Sequence, residues 1–157
     1  PTFPARHYCL PPLARINLPS IRDLIDQEKY FVLHAPRQTG KTTCLLALRD
    51  HLNAEGRLFC VYANMEVAQG ASDDFSKGLS LIIQENSERA SLLGDSAAEQ
   101  VQEALRAGPG VVPSLAVFLS RWCVALGRPL VLFLDEIDTL VGDTLVMVLR
   151  HLRSGYD

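Results

Sequence analysis

Residues 35 to 42 read Ala-Pro-Arg-Gln-Thr-Gly-Lys-Thr, between the apolar run at 30–35 (YFVLHA) and a segment where Leu45, Leu48 and Leu52 recur at helical spacing. A buried strand, a tight loop and a helix in direct succession leave few possible folds. A loop wrapped around an anion aims successive backbone N–H groups inward, and the helix beginning near Gly40 adds unpaired N–H groups and the positive end of its dipole. Pro36, Arg37, Gln38, Thr39, Gly40, Lys41, Thr42 and Thr43 are therefore the candidate phosphate-binding residues. Gly40 would let the backbone approach closely, and Lys41 would set its ammonium between the β- and γ-phosphates. The Thr42 hydroxyl would be a magnesium ligand, and Thr43 could bond the α-phosphate. Ala35 stands where the pattern has its first glycine, which restricts the backbone and weakens the match. The plain alternative is an ordinary strand-to-helix turn.

An acid is needed near such a metal. The five apolar residues at 130–134 (LVLFL) read as a strand covered on both faces, and they end at Asp135-Glu136. The C-terminal end of a strand is where α/β folds place ligands. Asp135 would orient the magnesium shell, and Glu136 would polarise the attacking water as general base. Taken alone, these acids could simply mark where a strand reaches solvent; the loop at 35–42 is what favours a site. Asp138 reads as a turn or capping residue rather than a ligand.

The rest of the chain supplies the frame. Its 157 residues, 48% hydrophobic and 21% charged, suit one packed domain and exclude disorder and collagen. A net charge of −3 without a basic run gives nucleic-acid binding no electrostatic support. Cys9, Cys44, Cys60 and Cys123 lie far apart, as reduced, buried thiols do in a cytoplasmic protein. Cys44, on the first helical turns beyond Lys41, could alternatively carry a lowered pKa and react with thiol reagents. No apolar run approaches a membrane span. Pro1 in place of Met leads us to expect a longer parent chain.

Pro11-Pro12 and Pro19 predict an extended lead-in arm, and Ser20 a cap for a short helix through Ile21, Leu24 and Ile25; together these form an N-terminal region over 1–29. The core, 30–157, holds strands at 30–35, 58–63 and 130–134. Helices are expected from Gly40 to about Ala54, from a Ser72 cap, from a Ser96/Glu99 capping box to about Ala107, from Ser114, and through Leu145 to Leu152 with Asp143 or Thr144 as cap. The stripe Leu115, Phe118, Leu119, Trp122 and Leu126 reads as core packing. Strands alternating with helices predict an α/β fold with a parallel sheet.

With these residues in view, APRQTGKTT resembles a Walker A loop and LVLFLDEID a Walker B strand of the AAA+ and STAND group of P-loop ATPases. The resemblance is closest to bacterial AAA-like ATP-binding proteins. It implies a three-layer α/β/α P-loop NTPase with a parallel sheet, incomplete at the C-terminus, because the strand bearing a polar sensor residue and the helical lid would lie past Asp157. That strand would sit between strand 30–35 and the Walker B strand, so the present residues would leave a gap, and Arg37, Arg150 and Arg153 are poor candidates for an arginine finger. ATP is the implied substrate and magnesium the cofactor, with Lys41 and Glu136 catalytic and Thr42 and Asp135 on the metal. Asn64 is similar to the residue that restrains the catalytic glutamate, although an Asn closing a turn would look the same. Tyr8, Leu10 and Pro12 resemble the segment around the adenine. The implied activity is ATP hydrolysis coupled to conformational change in a cytoplasmic protein. Its partners would be the remainder of its own chain and, in addition, a second copy or another protein. The alternatives are a slow-turnover, nucleotide-controlled interaction switch and a DNA-associated initiator or mobile-element ATPase.

Overall fold

Strand residues point alternately to opposite faces, and two apolar strands side by side need cover on both. The computed structural model describes residues 10–36, 38–71, 74–108 and 114–154, and its sheet has that form. Strands β1 (Phe59–Asn64) and β2 (Leu130–Asp135) pair in parallel, with Phe59 opposite Leu130 and Asn64 opposite Asp135. Phe59, Val61 and Ala63 face one way, into a core with Leu79, Ile82, Leu115, Phe118 and Trp122. Cys60, Tyr62 and Phe133 face the other, against Ile21, Leu45, Leu48 and Leu52. The chain is thus an α/β protein with helices on both faces of a parallel ribbon.

On the second face lie α1 (Leu18–Asp26) and α2 (Lys41–Ala54). The cap of α1 is Asn17, whose side chain accepts from the Ser20 N–H at 3.3 Å; Ser20, the expected cap, is inside the helix because Pro19 fits its first turn. The proline arm is also not wholly extended, since Pro12–Arg15 form a 3-10 turn. Its Pro12 carbonyl accepts from the Cys44 thiol at 3.3 Å, so Cys44 is a packed, buried contact between arm and helix.

The first face is covered by α3 (Phe75–Leu92), α4 (Ala97–Arg106), α5 (Leu115–Leu126) and α6 (Gly142–Arg153). Ser114 caps α5 as expected, accepting from the Val117 N–H, and Gly127 ends it at φ +68°. Asp74 caps α3, while the expected Ser72 lies outside the described residues. The Ser96 hydroxyl does not cap α4; Asp95 accepts from the Ala97 N–H instead, and its other oxygen takes the Trp122 indole N–H at 2.8 Å. Neither Asp143 nor Thr144 caps α6, because both lie inside its first turn, and Thr144 is buried and donates to the Ala71 carbonyl at 2.7 Å. The Leu115 to Leu126 stripe is core as expected; Phe118 and Trp122 are fully buried with ring centroids 5.5 Å apart, each worth about 1.5–3 kcal/mol of burial.

One expected strand is absent. Residues 30–35 run without secondary structure, Val32 is 88% exposed, and no described strand lies alongside to bond them. An extended apolar segment becomes a strand only when a neighbour accepts its backbone hydrogen bonds. No helix among the described residues is long and apolar enough to cross a membrane.

Candidate functional site

The site forms where the parallel ribbon ends and α2 begins. Asp135 is on the same face of β2 as Phe133, two residues earlier, and that face is covered by α2. The first turn of α2 therefore meets the last residue of β2. The Thr42 hydroxyl donates to Asp135 Oδ2 at 2.7 Å, across 93 residues of sequence. The Asp135 carboxylate is buried, and its Oδ1 accepts from the Glu136 N–H at 3.1 Å.

The loop ahead of α2 is closed on itself. Lys41 Nζ reaches back to donate to the Ala35 carbonyl at 3.2 Å, and the Thr39 hydroxyl donates to the Pro36 carbonyl at 2.7 Å. Gly40, the N-cap of α2, has φ +80°, a region costly to side-chain-bearing residues. An added Cβ there would lie 2.9 Å from an Arg15 guanidinium nitrogen. Arg15, at the end of the 3-10 turn, donates to the Thr39 carbonyl and so fastens the arm to the loop.

Backbone strain gathers at the same place. Gln38 (φ +59°) and Glu136 (φ +56°) are two of the three left-handed non-glycine residues among those described. Such conformations cost of order 1 kcal/mol or more, and they cluster at functional sites. Both residues line an open cavity of about 530 Å³, bounded on one side by residues 38–42 and on the other by Asp135, Glu136 and Asp138.

Of the expected residues, Gln38, Thr39, Gly40, Lys41, Thr42, Asp135 and Glu136 come together around this cavity, and Asp138, read as a turn residue, joins them. Thr43 is exposed and does not line it; Pro36 contributes only its carbonyl to the turn. Arg37 and Tyr8 lie outside the described residues, and Leu10 is exposed. The Asn64 side chain closes a turn, accepting from the Glu66 N–H at 2.9 Å, so the turn-closing alternative accounts for it.

Two residues were missed. Arg15 sits in a proline-rich arm with no periodicity to single it out. Tyr62, buried among apolar neighbours on β1, donates its hydroxyl to Asp135 Oδ2 at 3.0 Å. Burial first, then the bond to Asp135 and its negative charge, push the phenol up to about 12 from its usual 10. The available signal was a tyrosine in an otherwise apolar strand, because a buried hydroxyl requires a partner.

The donor set is hydroxyl and carboxylate oxygen, the chemistry a hard divalent cation such as magnesium takes. Among the described residues no group of three or more His, Cys, Asp or Glu side chains could hold a metal by itself. A cation here would need further oxygens from water or a ligand, as magnesium at a phosphate site does. No protein-family model, curated protein or solved structure matches this chain.

Proposed function

We propose that this chain is a P-loop module that binds ATP with magnesium and hydrolyses it. The observation that carries the reading is the bond from Thr42, on the first turn of a helix that follows a Gly-Lys-Thr loop, to Asp135 at the end of a parallel strand. A chance loop would have no reason to meet a buried carboxylate from a strand 93 residues away.

In this reading the backbone N–H groups of residues 38–42 and the start of α2 hold the phosphates. Lys41 exchanges its contact with the Ala35 carbonyl for the β- and γ-phosphate oxygens. Thr42 and Asp135 hold the magnesium, which when bound neutralises charge developing on the phosphates. Glu136, exposed at the cavity rim beyond the strand end, accepts a proton from the attacking water. Its left-handed backbone turns the chain immediately after Asp135, and the Thr139 hydroxyl fixes that turn by donating to the Glu136 carbonyl at 2.6 Å. The three-layer P-loop fold suggested by the sequence fits the observed helices on both faces, and the choice of ATP rests on the family resemblance.

The test is a calorimetric titration with ATP and magnesium, beside Lys41→Ala and with GTP as competitor. Saturable binding is expected, weakened about 10- to 100-fold in Lys41→Ala, as loss of a charge-assisted contact of about 1.5–3 kcal/mol requires. A folded chain that binds no nucleotide overturns the reading.

A further inference from the structure

We propose that Tyr62 is a positioning residue that holds the Asp135 carboxylate in register with Thr42 and thereby sets the affinity of the site for its divalent cation. The inference rests on the phosphate-loop reading and extends it to a residue that no motif contains.

A carboxylate offers about four lone-pair positions, and its terminal torsion is soft. At Asp135 the Thr42 and Tyr62 hydroxyls both donate to Oδ2, at 2.7 and 3.0 Å, and the Glu136 N–H donates to Oδ1 at 3.1 Å. Three of the four positions are thus engaged, which leaves one on Oδ1, in a residue that lines the cavity. Rotating the carboxylate would break all three bonds together. Thr42 and Glu136 lie in segments that line the cavity, so a ligand entering it competes for their contacts. Tyr62 does not: it is absent from the cavity lining, it is buried on the face that α2 covers beside Phe133, and only its hydroxyl reaches Asp135.

The register accounts for the contact. Tyr62 pairs with Phe133, so Asp135 is its diagonal neighbour on the same face, within reach of a long side chain. Phenylalanine would fill the same space without the donor. Partners that orient a metal-holding group from behind typically contribute 10- to 100-fold in metal affinity.

The experiment measures ATP affinity by displacement of a fluorescent analogue, once with magnesium and once with EDTA, in the wild-type chain, Tyr62→Phe and Phe133→Leu. The ratio of the two affinities isolates the cation's contribution. Tyr62→Phe is expected to reduce that ratio about 10-fold or more while leaving the EDTA affinity unchanged. Phe133→Leu, which disturbs the same packing without removing a donor, is expected to lower the melting temperature and keep the ratio. A ratio in Tyr62→Phe equal to wild type, or the same loss in Phe133→Leu, overturns the proposal. Wild-type binding that ignores magnesium overturns the proposal and the metal role of Thr42 and Asp135 while leaving phosphate binding by the loop in place, whereas wild-type binding absent in both conditions, or indifferent to Lys41→Ala, overturns the phosphate-loop reading as a whole.

Discussion

The Tyr62 hydroxyl also places an alkaline limit on the fold. Its folded value of about 12 lies above the ordinary 10, so below pH 10 the phenol is protonated in both folded and unfolded chains and its contribution is complete. As pH rises from 10 toward 12 the unfolded chain ionises first, and stability falls. Denaturant midpoints measured between pH 9 and 11.5 should decline more steeply in wild type than in Tyr62→Phe; parallel curves would show that the phenol is not held buried against Asp135 in solution. Glu136 offers a second test at this scale. Glu136→Gln keeps size and turn but removes the carboxylate proposed as general base, so on that reading nucleotide affinity should be retained while turnover drops about 100-fold or more. Retained turnover would remove Glu136 from the chemistry. Gly40→Ala should destabilise the loop by about 1–2 kcal/mol through its left-handed backbone, measured as a fall in the denaturant midpoint, since the Arg15 guanidinium that its Cβ would meet can move aside. The site's polar residues were legible because Gly-Lys-Thr and Asp-Glu are local patterns. Arg15 and Tyr62 were not, since each acts across the fold from a segment whose local pattern speaks only of turns or burial.

At the level of elements, the approach of α3 to α6 is set by Gly78, which is buried. A Cβ at Gly78 would lie 2.6 Å from Thr144 Cγ2 and 2.9 Å from its hydroxyl oxygen, and Thr144 is held in place by its bond to the Ala71 carbonyl. Helix propensity alone favours alanine over glycine by about 1 kcal/mol, but overpacking a rigid contact costs about 1–3 kcal/mol. Gly78→Ala should therefore be neutral to destabilising by about 2 kcal/mol, and in a Thr144→Ala background the same change should stabilise. Thermal melts of the four chains decide it; equal effects in both backgrounds would mean that the helices are not in contact there. Helix positions were largely legible from apolar spacing, whereas their caps were legible only where nothing competed for the side chain. Ser114 is such a case. Thr144 is not, because its hydroxyl is taken by Ala71, and the Trp122 indole together with the Ala97 N–H makes Asp95 rather than Ser96 the polar anchor of α4.

For the molecule as a whole, the segment at 30–35 separates what periodicity can predict from what it cannot. Its residues, Tyr30, Phe31, Val32, Leu33, His34 and Ala35, are as strand-like as those of β1, yet β1 is buried against α2, α3 and β2 while Val32 is 88% exposed. Composition records a preference for extended backbone; a ladder requires a neighbour, which lies elsewhere in the sequence. The segment is anchored at its ends, by the Tyr30 hydroxyl donating to the Leu152 carbonyl at 2.6 Å and by Lys41 on the Ala35 carbonyl. Between those points Phe31 and Leu33 pack half-buried against the core, but no backbone hydrogen bond among the described residues holds its amides. Amide exchange should therefore divide the chain: residues 60–63, bonded in the ladder and buried, should exchange only through large-scale opening, and residues 31–34 much faster by local fluctuation. Adding ATP and magnesium should slow exchange at 38–44, where the phosphates would be held, and leave 31–34 fast. If 31–34 exchange as slowly as 60–63 before any ligand is added, the segment has a strand partner in solution, and the sheet beside the loop that precedes α2 is wider than the β1–β2 pair.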